Sequence, residues 1–174
     1  SNGPGELATW VKPLAEELHS QLLMQPREQN TNISLRLVLV PCPNATGNEE
    51  KAAREWNQFE KIFKAKYFWD LLFHPHKYAY WPKNGLVVFL GGDQFWSVLL
   101  SARLGYLHIT YAEWIARWPY WNNKIIAMSS NVVKKLSKRM QKRCEIVGDL
   151  MADVNTFAKS NYPLPPGKWI ALMP

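Results

Sequence analysis

The sequence predicts an α/β fold built on a parallel sheet, and three observations predict it. Short apolar runs alternate with amphipathic stretches, as in consecutive βα units. The run Leu86-Val-Val-Phe-Leu90 leads straight into Gly91-Gly92-Asp93 and then into a helical pattern, a strand–turn–helix signature. The opening residues Ser1-Asn2-Gly3-Pro4-Gly5-Glu6 read as the same kind of turn, with a helix starting near Glu6. Glycine in such a turn lets a backbone approach a ligand closely, and the helix N-terminus behind it favours negative charge. A turn of this kind follows a buried strand of about five apolar residues. No such residues stand ahead of Ser1, so the expectation is a piece of a longer protein whose first strand is missing. The tail Lys168-Trp-Ile-Ala-Leu-Met-Pro174 reads likewise as a strand stopped before its loop.

Each element has a local reason. Leu7, Val11, Leu14, Leu18 and Leu22 repeat at helical spacing, and Pro13 among them predicts a kink or a delayed start. Ile33 to Val40 is a strand ended by Pro41-Cys42-Pro43. Thr46-Gly-Asn-Glu49 has capping-box spacing and opens a helix to about Trp56. From there to Trp81 two readings stand. One is a short strand with Phe59, Ile62 and Phe63, then a short helix through Phe68, Trp69, Leu72 and Phe73; the other is one continuous helix with a lysine face. Leu86 to Leu90 reads as a fully buried strand, followed by a helix from Gln94 to about Leu104 that stops at Gly105. Leu107 to Tyr111 and Lys124 to Met128 are strands on either side of a Trp-rich loop, Glu113 to Asn123. Asn131 to Lys142 is a basic surface helix and Cys144 to Gly148 a last strand. Asp149 is placed to cap a helix running to about Ser160. Pro163-Leu-Pro-Pro-Gly167 is a linker, which divides the chain into a domain over 1–162 and a linker with the first strand of a second domain over 163–174.

At 174 residues there is room for one domain with a real core. The excess of 21 basic over 14 acidic side chains suits a polyanion, a phosphorylated substrate or an anionic membrane surface. Cys42 and Cys144 are far apart and read as free thiols. No apolar run reaches the roughly 18–20 residues of a membrane span.

In open parallel sheets, ligands bind beyond the carboxyl ends of the strands. That rule gathers three loops on one edge: Ser1–Glu6, Gly91–Asp93 and Tyr111–Arg117. Asp93, after an apolar strand and two glycines, is positioned to take a proton from a substrate hydroxyl, or simply to cap its own helix. Glu6 suits a sugar hydroxyl or the dipole of its helix. Glu113 and Arg117 carry opposite charges four apart; they suit a sugar phosphate with Trp114 and Trp118 as stacking faces, or an ordinary ion pair. The glycines fit neither GxGxxG nor GxxxxGK[ST], so neither a dinucleotide nor a P-loop site is supported. His74-Pro-His76 is a weak metal signal without nearby carboxylates, and His108 within a strand reads as a core histidine. The aromatic and lysine residues of Trp56–Trp81 suit a membrane interface, an acylated ligand or single-stranded nucleic acid, or else a core with a solvated face. The basic run from Lys134 to Arg143 suits a solvated face or an anionic membrane.

Together these stretches resemble the N-terminal half of lipid-A-disaccharide synthase. Ser1-Asn-Gly-Pro-Gly-Glu6 stands where that family has a glycine-containing first loop ending in Gly-Asp. Val87-Val-Phe-Leu-Gly-Gly-Asp93 resembles its strand ending Gly-Ile-Asp, and Leu107-His-Ile-Thr-Tyr with the Trp-rich loop resembles its Ile-His-Tyr and Trp-Ala-Trp. Cys144-Glu-Ile-Val-Gly-Asp-Leu-Met-Ala-Asp153 is similar to its Phe-Ile-Gly-His-x-Met-Ala-Asp, and Ile170-Ala-Leu-Met-Pro174 to the strand before its Gly-Ser-Arg loop. The chain departs in having Asn2-Gly3-Pro4 for Glu-Ala-Ser, Glu6 for Asp and Asp149 for His, and residues 41–82 hardly align.

The resemblance implies the Rossmann-like N-terminal domain of a two-domain GT-B glycosyltransferase. The family moves a diacylated glucosamine from a UDP donor to a diacylated glucosamine 1-phosphate. It works from the cytoplasmic face of the inner membrane, without metal or cofactor; the UDP-sugar is a substrate. By correspondence Asp93 is the expected general base, and Asn2, Gly5, Glu6, Gly92, Glu113 and Arg117 the expected substrate contacts. The expected partners are the two acylated sugars and an anionic membrane surface, with no nucleic acid, and residues 1–174 alone are expected to be inactive. Two alternatives remain: a related glycolipid transferase with another acceptor, and a non-catalytic module docking on membrane or nucleic acid.

Overall fold

A computed structural model describes residues 4–24, 33–43 and 45–152. The chain is α/β, with parallel sheets flanked by helices, compatible with a Rossmann-like arrangement. The first helix comes in three parts: α1 (Pro4–Glu6), a π turn (Leu7–Val11) and α2 (Lys12–Met24). It starts earlier than the expected Glu6, because proline suits the first helical position, where its missing N–H is no loss. The expected disturbance at Pro13 is the π turn. Pro13 has no N–H and its ring crowds the carbonyl of Thr9; the wider turn, closed by the Lys12 N–H on the Leu7 carbonyl, relieves both. Leu7, Trp10, Val11 and Ala15 are buried, whereas Leu18 on the same stripe is exposed.

β1 (Arg36–Val38) and β2 (Lys61–Phe63) pair in parallel with Leu37 opposite Ile62. Between them α3 (Glu49–Arg54) follows half of the expected capping box: the Thr46 N–H donates to Glu49 Oε1 at 2.6 Å. Of the two readings for 56–81, the strand and short helix hold. β2 leads through a 3₁₀ turn (Ala65–Tyr67) to α4 (Phe68–Phe73) and α5 (Pro75–Tyr78). Pro75 splits the two helices, since the residue before a proline is pushed out of the helical region and His74 sits at ψ 57°. Phe68 and Leu72 join Val40 in one core cluster; Leu7, Val11, Leu37, Leu39 and Ala53 form another.

The second sheet runs β3 (Leu86–Phe89), β4 (Leu107–Ala112), β5 (Lys124–Ala127) and β6 (Cys144–Ile146), in that order and all parallel. α6 (Gln94–Leu104) ends at Gly105, whose φ of +68° only glycine adopts easily. Two expectations are corrected here. β3 is not fully buried: Leu86 is 50% exposed and Val88 38%, because this strand is an edge of its sheet. The basic surface helix is two short ones, α7 (Ser130–Lys134) and α8 (Lys138–Gln141). Ser137 between them is extended at ψ 152°, and Val132 and Met140, one from each helix, are both buried. The expected helix to Ser160, the linker, the tail strand and the 162/163 boundary lie outside the described residues. Among the described residues no helix is long and apolar enough to cross a membrane.

Candidate functional site

The loops that leave β1, β3 and β4 at their carboxyl ends meet the start of the first helix around one cavity of about 750 Å³. Its lining includes Glu6, Gly92, Asp93, Glu113 and Arg117, five of the seven residues singled out from sequence. Gly5 sits inside the first helical turn, its carbonyl accepting from Thr9 Oγ1 at 3.0 Å, and is not among the residues that line the cavity. Asn2 lies outside the described residues.

Glycine shapes the floor. A Cβ on Gly91 would stand 3.0 Å from the Trp10 ring and 3.3 Å from Glu6 Oε2, so any side chain there would press these neighbours back by a few tenths of an ångström. Gly92 turns at φ +94° and delivers the chain to Asp93. Asp93 caps α6: its Oδ1 accepts the Phe95 N–H at 3.0 Å. The capping reading is therefore realised, yet Asp93 is exposed and lines the cavity. Among the described residues its Oδ2 has no hydrogen-bond partner.

The loop 113–117 is held by Gln94 Nε2 donating to the Ile115 carbonyl at 2.8 Å and Lys135 Nζ donating to the Trp114 carbonyl at 3.0 Å. It is not helical, so the four-residue spacing of Glu113 and Arg117 does not bring them together. Among the described residues Arg117 makes no ion pair; it is exposed and lines the cavity. Burial, and then the charges of Glu6 and Asp149, push the Glu113 carboxyl above its ordinary value.

This shift has a definite sign. A carboxyl whose folded pKa is raised favours the folded state below its unfolded value, and that contribution is lost as pH rises through the folded pKa. Ionised Glu113 thus works against folding at neutral pH. Glu113→Gln should melt higher than the parent at pH 7, and the gap should close towards pH 4; a gap independent of pH would contradict this environment for Glu113.

Sequence reasoning missed Trp10 and the Pro41-Cys42-Pro43 loop, both part of the lining. Two signals pointed to them. Trp10 stands four residues after Glu6 on a helix, hence on the same face. The loop after β1 leaves the same sheet edge as the loops after β3 and β4. Tyr111 is packed edge-on to Trp10 with ring centres 6.0 Å apart, and its hydroxyl donates to the Gly148 carbonyl at 3.2 Å. It therefore ties the loop after β6 to the cavity wall.

The remaining candidates lie elsewhere. His108 is buried in β4, with Nε2 2.9 Å from Ser97 Oγ, and burial holds its pKa down. His74 is exposed and its Nδ1 lies 3.0 Å from Asp70 Oδ1. Asp70 also accepts from Tyr78 and Lys77, which together hold its pKa at about 2. Trp118 packs on Phe95 at 5.6 Å outside the cavity lining. Among the described residues no three His, Cys, Asp or Glu side chains are grouped to hold a metal ion. Comparison with protein families, with curated proteins and with solved structures finds no match.

Proposed function

We propose that the chain is the acceptor-binding, Rossmann-like domain of a GT-B glycosyltransferase of the lipid-A-disaccharide synthase kind. The observation that carries the reading is the convergence of Glu6, Asp93, Glu113 and Arg117 with Trp10 and Trp114 around one cavity at the carboxyl edge of a parallel sheet. Carboxylates accept from sugar hydroxyls, indole faces cover the apolar side of a sugar ring, and a rim guanidinium suits a phosphate. Three carboxylates against one guanidinium favour the hydroxyl side of the sugar inside and the phosphate outside, at Arg117.

In this reading an acceptor hydroxyl attacks C1 of the donor sugar and the C1–O bond to UDP breaks, UDP leaving with the bonding electrons. Asp93 takes the hydroxyl proton as the new bond forms. Gly92 lets the backbone approach the acceptor, and Glu6 and Glu113 orient its other hydroxyls. The donor nucleotide belongs to a second domain. No metal or cofactor enters. The exposed rings of Trp69, Phe73 and Tyr80, with Lys66 and Lys77 close by in sequence, support peripheral attachment to the anionic inner membrane, where acylated substrates reside.

The test is UDP release from UDP-diacylglucosamine by the transferase that carries these residues. Release should require diacylglucosamine 1-phosphate. On anionic vesicles it should be slower at 1 M salt than at 0.1 M, because the Debye length falls from about 10 Å to about 3 Å. Release that ignores the acceptor would overturn the assignment, and a rate that ignores salt would overturn the membrane attachment.

A further inference from the structure

A second cavity, of about 780 Å³, lies between the two sheets. One side is β1 with its flanking residues up to Val40, and the other is β3 from Gly85 to Gly91. Among the described residues both strands are edges: β1 pairs only with β2, and β3 only with β4. α2 contributes Val11, Leu14 and Ala15 to the lining, and α6 contributes Leu100 and Leu104. The lining is mostly apolar, with Arg36, Asn84 and Ser97 among its polar members, and it leaves Ile33, Leu86 and Val88 more than a third exposed.

The backbone decides what fits. The Leu35 carbonyl and the Leu39 N–H both bond towards β2, so the pleat turns the backbone groups of Arg36 and Val38 the other way, into the slot. The Gly85 carbonyl bonds towards β4, so Leu86 and Val88 also direct theirs into the slot. Among the described residues none of these four makes a backbone hydrogen bond across the gap. A hydrocarbon chain in the slot would bury those N–H and C=O groups with nothing to pair them. A second extended backbone would pair both rows.

We infer that the slot seats one more parallel strand, an apolar segment of about five residues joined ahead of Ser1. Both rims run in the same direction, and a strand between them satisfies each only if it runs parallel to both. Its carboxyl end then emerges beside Gly91, where Glu6 of the first helical turn is already packed. Three residues of sequence would separate such a strand from Pro4, an ordinary length for a βα connection. Helices contribute apolar side chains to the slot, and central parallel strands are apolar for that reason. The result is one continuous seven-stranded sheet, β2-β1-new-β3-β4-β5-β6, counting the six strands here and the added one. The cavity of Glu6 and Asp93 sits at the carboxyl end of the new strand. The seat for the strand is independent of what that cavity binds.

The test compares three chains: residues 1–174, the same chain extended ahead of Ser1 by Val-Ile-Val-Ile-Val, and the same chain extended by Val-Pro-Val-Pro-Val. Hydrogen exchange at the Val38 and Val88 amides is read by NMR in monomeric samples, and melting is followed by circular dichroism. The first extension should slow both amides by at least about tenfold relative to the other two chains, since only a hydrogen-bonded strand protects them. If the unextended chain melts without cooperativity, the first extension should restore a cooperative melt and the second should not. Equal exchange and equal melting in the two extended chains would overturn the inference. So would protection already present in the unextended monomer, protection that appears only in a dimer of 1–174, or protection produced by dodecyl maltoside alone. Those outcomes would assign the slot to another part of this chain, to a second copy or to a hydrocarbon chain.

Discussion

Asp93→Asn should lower kcat by about 10²–10⁴-fold with little change in acceptor binding, the range that general-base catalysis contributes. Asparagine keeps the shape of the side chain and still accepts the Phe95 N–H that caps α6. Asparagine and aspartate cap comparably, so the melting temperature should stay close to that of the parent. What is lost is the oxygen able to take a proton. If the carboxylate serves only as a cap, the variant keeps both its rate and its stability, and a near-normal kcat would remove Asp93 from the chemistry. Glu113 offers the internal comparison. Its carboxyl is held up by burial and by Glu6 and Asp149, so a loss of rate in Glu113→Gln with none in Asp93→Asn would move the base to Glu113.

Phe68→Ala should destabilise the fold by about 3–5 kcal/mol, the range for truncating a buried phenylalanine. Phe68 is 1% exposed, clusters with Val40 and Leu72, and packs edge-on to Trp96 at 5.5 Å. Against a usual total of about 5–15 kcal/mol, this removes a large part of the stability. Urea denaturation should show a lower midpoint with an unchanged slope, and Phe68→Leu should recover most of the difference. A loss below about 1 kcal/mol would mean that the cluster is not closed around this ring. Trp96 also lines the cavity of Asp93, so the same truncation loosens one wall of the site.

The elements legible in the sequence are those whose boundaries are set by neighbouring residues. Asp93 and Gly105 bracket α6 because one caps its start and the other takes a left-handed turn at its end. β4 and β5 follow from short apolar runs between turns. Other features depended on what stands nearby in space. β3 reads as a buried strand from its five apolar residues, but its exposure depends on the edge it occupies, which local composition does not record. The basic helix splits at Ser137, whose extended backbone no local pattern announces: Val132 and Met140 are eight residues apart and share one face of a continuous helix as well.

The site shows the same division. The parallel-sheet rule placed Glu6, Asp93, Glu113 and Arg117 on one edge, because loop positions follow from strand direction. The pairing of Glu113 with Arg117 failed because four-residue spacing matters only on a helix. The pressure on Glu113 from Glu6 and Asp149 joins residues far apart in sequence, and no spacing pattern connects them.

The central claim is that the cavity at the carboxyl edge binds the acceptor sugar. The most direct measurement is an NMR titration of residues 1–174 with diacylglucosamine 1-phosphate in neutral micelles, with empty micelles as reference. The largest amide shifts should fall on Gly91, Gly92, Asp93 and the loop 113–117, and Arg117→Ala should weaken the binding. Saturable shifts confined to the slot between β1 and β3, or no shifts beyond those of empty micelles, would contradict it.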